Sequence, residues 1–357
     1  MSRMPRLLAI ASCVAAALAP AAAAETLLLI PDTGADKVWA FSAFDGSVVS
    51  NNYIPNDGRM KQVMQVVQLP GGTILVSDPG TSQACDAGDG IREYTPCGQY
   101  IRTIGTSADG VCNPEGICVA YGKVWFVRLY DAAQEGAPGR SAVWSMTYDG
   151  LGLTESCPAT VLDKPWGILP FDGGLLVSDS TDDNVERVQP FGCVASTPFV
   201  DSNGVTSINF PQQMALLPDG GVVIAGFSNP SGLYFFTAAG DYVYTHLPAV
   251  SCRGVYPLGN GEILYTGGTR VLAYDPKTFT ERDIINQSGA SFRWIAPIER
   301  CSEDLDCSGG VNGADLGVLL GNWGSPGVGD LNGSGSVDGA DLGLMLSAWG
   351  GCSANPA

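Results

Sequence analysis

Gly71–Asp78 reads GGTILVSD, and Gly173–Asp179 repeats it as GGLLVSD. A glycine turn leads into an aliphatic run with no polar alternation, which is the pattern of a short strand buried on both faces. The run stops at Ser-Asp, residues that leave strands and open turns. The same segment recurs as LLLIPD (Leu27–Asp32), GKVWFVR (Gly122–Arg128), GGVVIAG (Gly220–Gly226) and GEILYTG (Gly261–Gly267). Measured between their last residues, successive copies lie 46, 50, 51, 47 and 41 residues apart. Recurrence at such a period is the mark of a repeat architecture.

Each copy is followed by a second short strand, VWAF from Val38, IREY from Ile91, VWSM from Val143, VERV from Val185, LYFF from Leu233 and VLAY from Val271. A turn and a more polar outer strand come next. From the second copy on, an inner strand precedes the motif, beginning VMQ at Val63, GIC at Gly116, WGI at Trp166, QMA at Gln213 and RGV at Arg253. Four antiparallel strands repeated in this way make one propeller blade, so six copies predict six blades over residues 25–300. The first copy has no inner strand of its own; FRWIAPIE (Phe292–Glu299) follows the last copy and is expected to supply it, closing the ring and removing the open sheet edges. The pattern resembles the NHL and SMP-30-like six-bladed propellers, and the expected fold class is mainly β: a six-bladed propeller followed by a small α-helical unit.

Because the inner strand and the motif strand run antiparallel, the start of one and the end of the other emerge on the same face. That face is expected to gather Glu115, Trp166, Gln213, Arg253 and Arg293 with Asp32, Asp78, Arg128 and Asp179, a mixed polar mouth suited to a small polar or carbohydrate ligand. Asp32, Asp78 and Asp179 equally suit turn capping. Glu115 and Asp179 are the candidates if the mouth is catalytic. The single histidine, His246, falls in an outer strand, away from the mouth, so a Ser/His/Asp or histidine-rich zinc centre is not expected. Streptogramin-lyase-like propellers place a histidine at the mouth and SMP-30-like lactonases a Glu, Asn and Asp metal set there; neither set can be aligned here.

A second duplication occupies the C-terminal region. DLDCSGGVNGAD (Asp304–Asp315) and DLNGSGSVDGAD (Asp330–Asp341) are twelve-residue loops offset by 26 residues, each leading into a short apolar segment, LGVLLGNWG and LGLMLSAWG. Oxygen-bearing residues alternate along both: Asp304, Asp306, Ser308, Asn312 and Asp315 in the first, Asp330, Asn332, Ser334, Asp338 and Asp341 in the second, with backbone carbonyls of Gly310 and Ser336 at the seventh position. This is the ligand spacing of a calcium loop, with Gly309 and Gly335 at the sixth position where the chain turns sharply. Val311 and Val337 would point inward and could pair through a short β-bridge.

The region 301–352 resembles a type I dockerin, a pair of calcium loop and helix units closing on Asp at position 12. The resemblance implies two bound Ca²⁺ and attachment to a cohesin-like or cell-surface partner. This chain departs from the family at position 5, where Ser308 and Ser334 replace a charged or amide ligand. It also departs at the recognition positions, which are Gly313 with Ala314 and Gly339 with Ala340, and the stretch 301–357 holds no Lys or Arg. Dockerins in well-known systems are appended to polysaccharide-degrading enzymes, which keeps a glycosidase-associated or lactonase-like hydrolase as the alternative to a binding protein.

Met1–Ala24 carries Arg3 and Arg6 ahead of an Ala/Leu-rich run ending in small residues, a secretory leader expected to be cut before Glu25. No later run is long and apolar enough to span a bilayer. The chain has 36 acidic and 18 basic residues, a net charge of −18, and loss of the leader takes this to −20. Such a surface disfavours nucleic acid and anionic lipid. Of 11 cysteines, ten remain without the leader, and in an exported chain these favour disulfides. Cys301 with Cys352, Cys112 with Cys118, Cys85 with Cys97 and Cys157 with Cys193 are the pairings that proximity in sequence suggests, though spacing does not fix connectivity. Residues 353–357 form a short tail.

Overall fold

The computed structural model describes residues 25–81, 85–129, 142–157, 162, 164–190, 198–201 and 208–351. The leader expected over residues 1–24, and the cysteines Cys193 and Cys352, lie outside them. Two compact units are present among the described residues, the larger comprising residues 25–300 with Cys307–Gly309, the smaller Cys301–Asp306 with residues 310–351.

The larger unit is a six-bladed β-propeller. Blade 1 pairs Ala296–Arg300, Glu25–Asp32, Lys37–Ser42 and Val48–Ile54 from the axis outward, so the propeller's two ends meet in one sheet as the repeat count requires. Blades 2, 3, 5 and 6 are four-stranded in plain sequence order, with inner strands Gln65–Gln68, Pro114–Ala120, Pro211–Leu216 and Val255–Pro257. Blade 4 has three strands, beginning at Pro165–Phe171, and a single bridge from Val185 to Val200 in place of an outer strand among the described residues.

The unbroken apolar motif strands follow from this packing. In blade 1, Leu27 and Leu29 face blade 2 and pack with Val66, Ile74 and Val76. Leu28 and Ile30 face the other way, onto Leu258, Leu264 and Val271 of blade 6. A strand with period 2 and a buried layer on each side has no solvent face to fill with polar residues. Six such clusters, one between each pair of neighbouring blades, make up the core.

Hydroxyls stitch the blades near the axis. Ser77 Oγ accepts from Gln65 N–H in its own blade and donates to the Glu115 carbonyl of the next. Ser178 does the same between Gly167 N–H and the Gln212 carbonyl, and Thr266 between Gly254 N–H and the Arg293 carbonyl. These residues occupy one equivalent position in blades 2, 4 and 6. Gly254 is required for the approach, since a Cβ there would sit 2.5 Å from the Arg293 carbonyl oxygen.

The disulfides differ from the pairings that sequence proximity suggests. Cys85 bonds Cys112 and Cys97 bonds Cys307, at sequence separations of 27 and 210. Cys118 and Cys252 are buried free thiols inside blade interfaces, where they pack as small apolar side chains. Cys157 and Cys301 are also disulfide-bonded; the pairings expected for them involve Cys193 and Cys352, outside the described residues.

In the smaller unit, α1 (Gly313–Gly321) and α2 (Gly339–Ser347) follow the two loops. Val311 and Val337 do not bridge to one another. Val311 pairs with Gly350, beyond α2, and Val337 exchanges backbone hydrogen bonds with Gly324 and Ser325, beyond α1. Both valines still meet in one core, with Leu319 and Met345, so the pairing is crossed between repeats and only their side chains converge. No described helix is long and apolar enough to cross a membrane.

Candidate functional site

The inner strands set the geometry of the propeller mouth. In four blades the residue that opens the inner-strand run lies opposite the last residue of the motif strand, Pro114 against Arg128, Pro165 against Asp179, Pro211 against Gly226 and Phe292 against Asp32, while in blades 2 and 6 pairing begins further in, at Gln65 with Ser77 and Val255 with Tyr265. In blades 3, 4 and 5 the register then slips through a bulge before pairing resumes at Ile117, Ile168 and Met214. A bulge inserts an extra residue and re-aims side chains. The residue after the opening position is therefore equivalent in all six blades: Arg293, Met64, Glu115, Trp166, Gln212 and Arg253, in ring order.

Four of the expected mouth residues, Glu115, Trp166, Arg253 and Arg293, belong to this ring. Gln213 does not: it falls one position later, at the place of Gly116, Gly167 and Gly254. Its Oε1 accepts from Val255 N–H and Ile295 N–H, and its Nε2 donates to the Ile295 carbonyl. One buried amide thereby ties blade 5 to blades 6 and 1, and Gln212 takes its place in the ring. Strand-start counting misassigned it because the bulge adds a residue that composition does not announce.

The carboxylates at the motif-strand ends serve the backbone. Asp32 Oδ1 accepts from Gly34 and Ser291 N–H and its Oδ2 from the Trp39 indole. Asp78 accepts from the N–H groups of Lys61, Gln62 and Gly80 and from Arg92 at 2.8 Å in a buried ion pair. Asp179 accepts from Lys164 and Thr181 N–H. In each blade the acid clamps the incoming connection to the strand end, the turn-capping role. Arg128 is buried, with its guanidinium 5.7 Å from the Trp144 ring centre.

Glu115 is different. It is 6% exposed, and its Oε2 accepts no hydrogen bond. Burial pushes its carboxyl up to about 8, against the opposing pull of Arg293 and Arg253. Blade 3 lies opposite blade 6 in a six-membered ring, and Glu115 and Arg253 occupy the equivalent position at the opening of their inner strands. Burial lowers both arginines, Arg253 to about 10, and their mutual repulsion adds to the effect on Arg253. Arg293 donates to Thr33 Oγ1, while the Arg253 guanidinium lies 4.0 Å from the Phe227 ring centre.

Phe227 continues an aromatic arc. It meets Phe210 edge-on at 5.4 Å, and Phe210 meets Trp166 at 5.0 Å. Trp166 is anchored by its indole N–H to Ser180 Oγ. Phe210 and Phe227 immediately flank two strands of blade 5, but as single aromatics in loops they carry no signal of their own in the sequence. His246 lies in the outer strand of blade 5, bonded to Glu281 at 2.7 Å and stacked on Tyr274, as its position in the repeat implies.

The two C-terminal loops repeat one design. Asp304, Asp306 and Asp315 bring carboxylate oxygens within 4.8 Å of one another. Asp315 accepts from Asp306 and Asn312 N–H; Asp341 accepts from Leu331, Asn332 and Asp338 N–H, and these bonds hold its carboxyl below the usual carboxylate range. Asn312 and Asp338 cap α1 and α2 in matching capping boxes. Asp330 accepts from Ser334 and Gly335 N–H, and Asn332 from Ser334 N–H. The Ser334 hydroxyl donates to the Ser336 carbonyl and the Asn312 amide to the Gly310 carbonyl, so the predicted seventh-position oxygens are already in local bonds. Gly309 and Gly335 both take φ of +94° at the turn. Ser308 lies in the first loop beside them. Leu320, Trp323, Leu346 and Trp349, paired by the duplication, are each about half exposed.

No protein-family model matches the chain, and no curated protein matches it. Among solved structures, a chain of the nidogen/laminin complex superposes with a TM-score of 0.61 at 16% identity, covering 77% of this chain and 100% of that one. A protein of unknown function from Bacteroides caccae superposes at 0.54, also at 16% identity, covering 77% and 99%. At this identity the likeness is one of fold, and the chain is a six-bladed β-propeller with a short C-terminal unit.

Proposed function

We propose that this is an exported calcium-binding protein whose propeller mouth takes a small polar ligand and whose dockerin-like C-terminal unit attaches it to a partner. The observation that carries the calcium reading is the cage at Asp304, Asp306 and Asp315. Three carboxylates gathered this closely repel one another, and a hard divalent cation with several oxygen ligands relieves that repulsion. Asp304, Asp306, Ser308, Asn312 and Asp315 would hold one ion, and Asp330, Asn332, Ser334, Asp338 and Asp341 the second, each set with three carboxylates, since Asn332 stands where the first loop has Asp306 and Asp338 where it has Asn312. The ions would supply structural cross-linking of each loop to its helix. The exposed Leu320, Trp323, Leu346 and Trp349 support a docking role, for which a cohesin-like or cell-surface protein is the expected partner.

Calorimetric titration of Ca²⁺ into chelator-treated protein tests this: two sites are expected, and Asp304→Ala with Asp330→Ala removes both. Absence of binding heat in the wild type would refute it. Attachment is tested by chelator-sensitive capture of a partner from the secreted fraction of the producing organism.

The unbonded Oε2 of Glu115 favours one second reading, a hydrolase working at the mouth with a protonated Glu115 as general acid. Glu115→Ala would then abolish turnover of a lactone, ester or glycan while the fold persists, and Asp179→Ala serves as the comparison.

A further inference from the structure

Within the ring of six equivalent positions, the buried members are the ones left without partners. Gln212 is fully buried, and neither its Oε1 nor its Nε2 is hydrogen-bonded; Glu115 Oε2 is in the same condition. Buried polar groups are almost always bonded, and exceptions cluster where a ligand or ordered water completes the set. Arg253 and Arg293 hold the same position in the adjacent blades 6 and 1 and are half-buried. Among the described residues neither makes an ion pair within 4 Å, and Arg253 makes no hydrogen bond through its guanidinium, only the contact with Phe227. Arg92, by contrast, is buried in an ion pair with Asp78. Two desolvated guanidiniums side by side repel one another unless an anion lies between them.

The other half of the rim is the arc Trp166, Phe210 and Phe227, whose edge-to-face contacts hold the rings in place. A guanidinium pair meets a carboxylate with paired N–H donors, and an aromatic arc meets the flat or apolar face of a ring.

Building on the ligand-binding reading of the mouth, we propose that its ligand is a ring-bearing carboxylate, with the carboxylate held by Arg253 and Arg293 and the ring lying against Trp166 and Phe227. Glu115 and Gln212 form the polar floor and discriminate by hydrogen bonds to ring substituents. An aromatic acid and a sugar acid both carry this chemistry, and they are separated by direct measurement.

The experiment is isothermal titration of the full calcium-loaded chain with 4-hydroxybenzoate and with galacturonate, each beside its uncharged counterpart, the methyl ester and galactose. At least one acid is expected to bind saturably, its counterpart at least about tenfold more weakly, and Arg253→Gln or Arg293→Gln to weaken the acid by about tenfold or more. Circular dichroism and thermal melting confirm that the variants fold. Galacturonate alone binding identifies a sugar acid, and 4-hydroxybenzoate alone an aromatic acid; either supports the assignment. If acid and neutral counterpart bind equally and Arg253→Gln has no effect while Trp166→Ala abolishes binding, the mouth is a ligand site but the carboxylate assignment is overturned. If none of the four probes binds in the millimolar range, the assignment is overturned as well. Calcium binding by the C-terminal loops is read in the separate Ca²⁺ titration of chelator-treated protein and stands or falls on its own.

Discussion

Gln213→Ala is expected to be among the most damaging single substitutions in the propeller, although the residue touches no ligand. Its amide satisfies Val255 N–H, Ile295 N–H and the Ile295 carbonyl, all within a part of the structure where Gln213, Val255 and Ile295 are 6%, 0% and 1% exposed. Truncation removes the partner and leaves the backbone groups, which water cannot readily reach. An orphaned buried donor or acceptor costs about 1–3 kcal/mol, so three of them give about 3–9 kcal/mol. For a domain of this size that corresponds to a fall in Tm of roughly 10 °C or more. Gln68 is the internal control: it bridges to Glu299 N–H and carbonyl in the same manner, but from a half-buried position where water can substitute, so Gln68→Ala should cost only about 1 kcal/mol. Gln213→Glu keeps both acceptors, loses the donor and faces the Ile295 carbonyl with oxygen, and should fail almost as badly as Ala. Guanidinium unfolding and scanning calorimetry read all three. A loss below about 1 kcal/mol for Gln213→Ala would show that the amide is not the tie between blades 5, 6 and 1.

Thr266→Val keeps shape but removes the hydroxyl between Gly254 N–H and the Arg293 carbonyl, and should destabilise by about 1–3 kcal/mol in the same unfolding assay. Gly254→Ala should be worse, since its Cβ would press on the Arg293 carbonyl; near-wild-type melting would contradict that close approach. Glu115 and Asp89 are raised by burial to about 8 and about 7, so the folded state holds protons that the unfolded chain releases near pH 4. Their stabilising contribution is full below that pH and is lost as pH rises toward 7 and 8, with a slope of at most about 1.4 kcal/mol per pH unit for each group. Glu115→Gln should flatten this decline between pH 5 and 8 in denaturant titrations, and an unchanged slope would place the carboxyl in a more solvated setting. Peptide mapping should recover Cys85 with Cys112 and Cys97 with Cys307, while Cys118 and Cys252 react with thiol reagents only after unfolding.

The repeat made the propeller readable. LLLIPD, GGTILVSD and their copies are buried on both faces by adjacent blades, and a strand in that setting must be apolar throughout, so its sequence carries its environment with it. Ring closure by Phe292–Glu299 was legible for a related reason: one copy lacked an inner strand and one inner strand lacked a copy. The mouth was legible for Glu115, Trp166, Arg253 and Arg293, because strand starts fall on one face of any antiparallel blade. Gln213 was assigned one residue too far along, since a bulge changes phase without changing composition. Phe210, Phe227, Met64 and Gln212 acquire their place only when six equivalent positions are superposed. In the C-terminal unit, the alternating oxygen residues and turn glycines of both loops were readable locally. The crossed pairing of Val311 with Gly350 and of Val337 with Gly324 and Ser325 was not, because backbone partners are chosen by how the two repeats pack.

The sequence by itself determined what depends on neighbours along the chain: strand period, turn chemistry, blade number and the alternation of oxygen-bearing residues in the two loops. Tertiary structure decided what depends on residues far apart in the chain. Which cysteines meet and which carboxylates are consumed by backbone N–H groups are set by tertiary packing, and which charges gather around the axis is set by ring closure. Closure brings Glu115, Arg253 and Arg293 together from blades 3, 6 and 1, and their desolvation and mutual field exist only once those blades are in place.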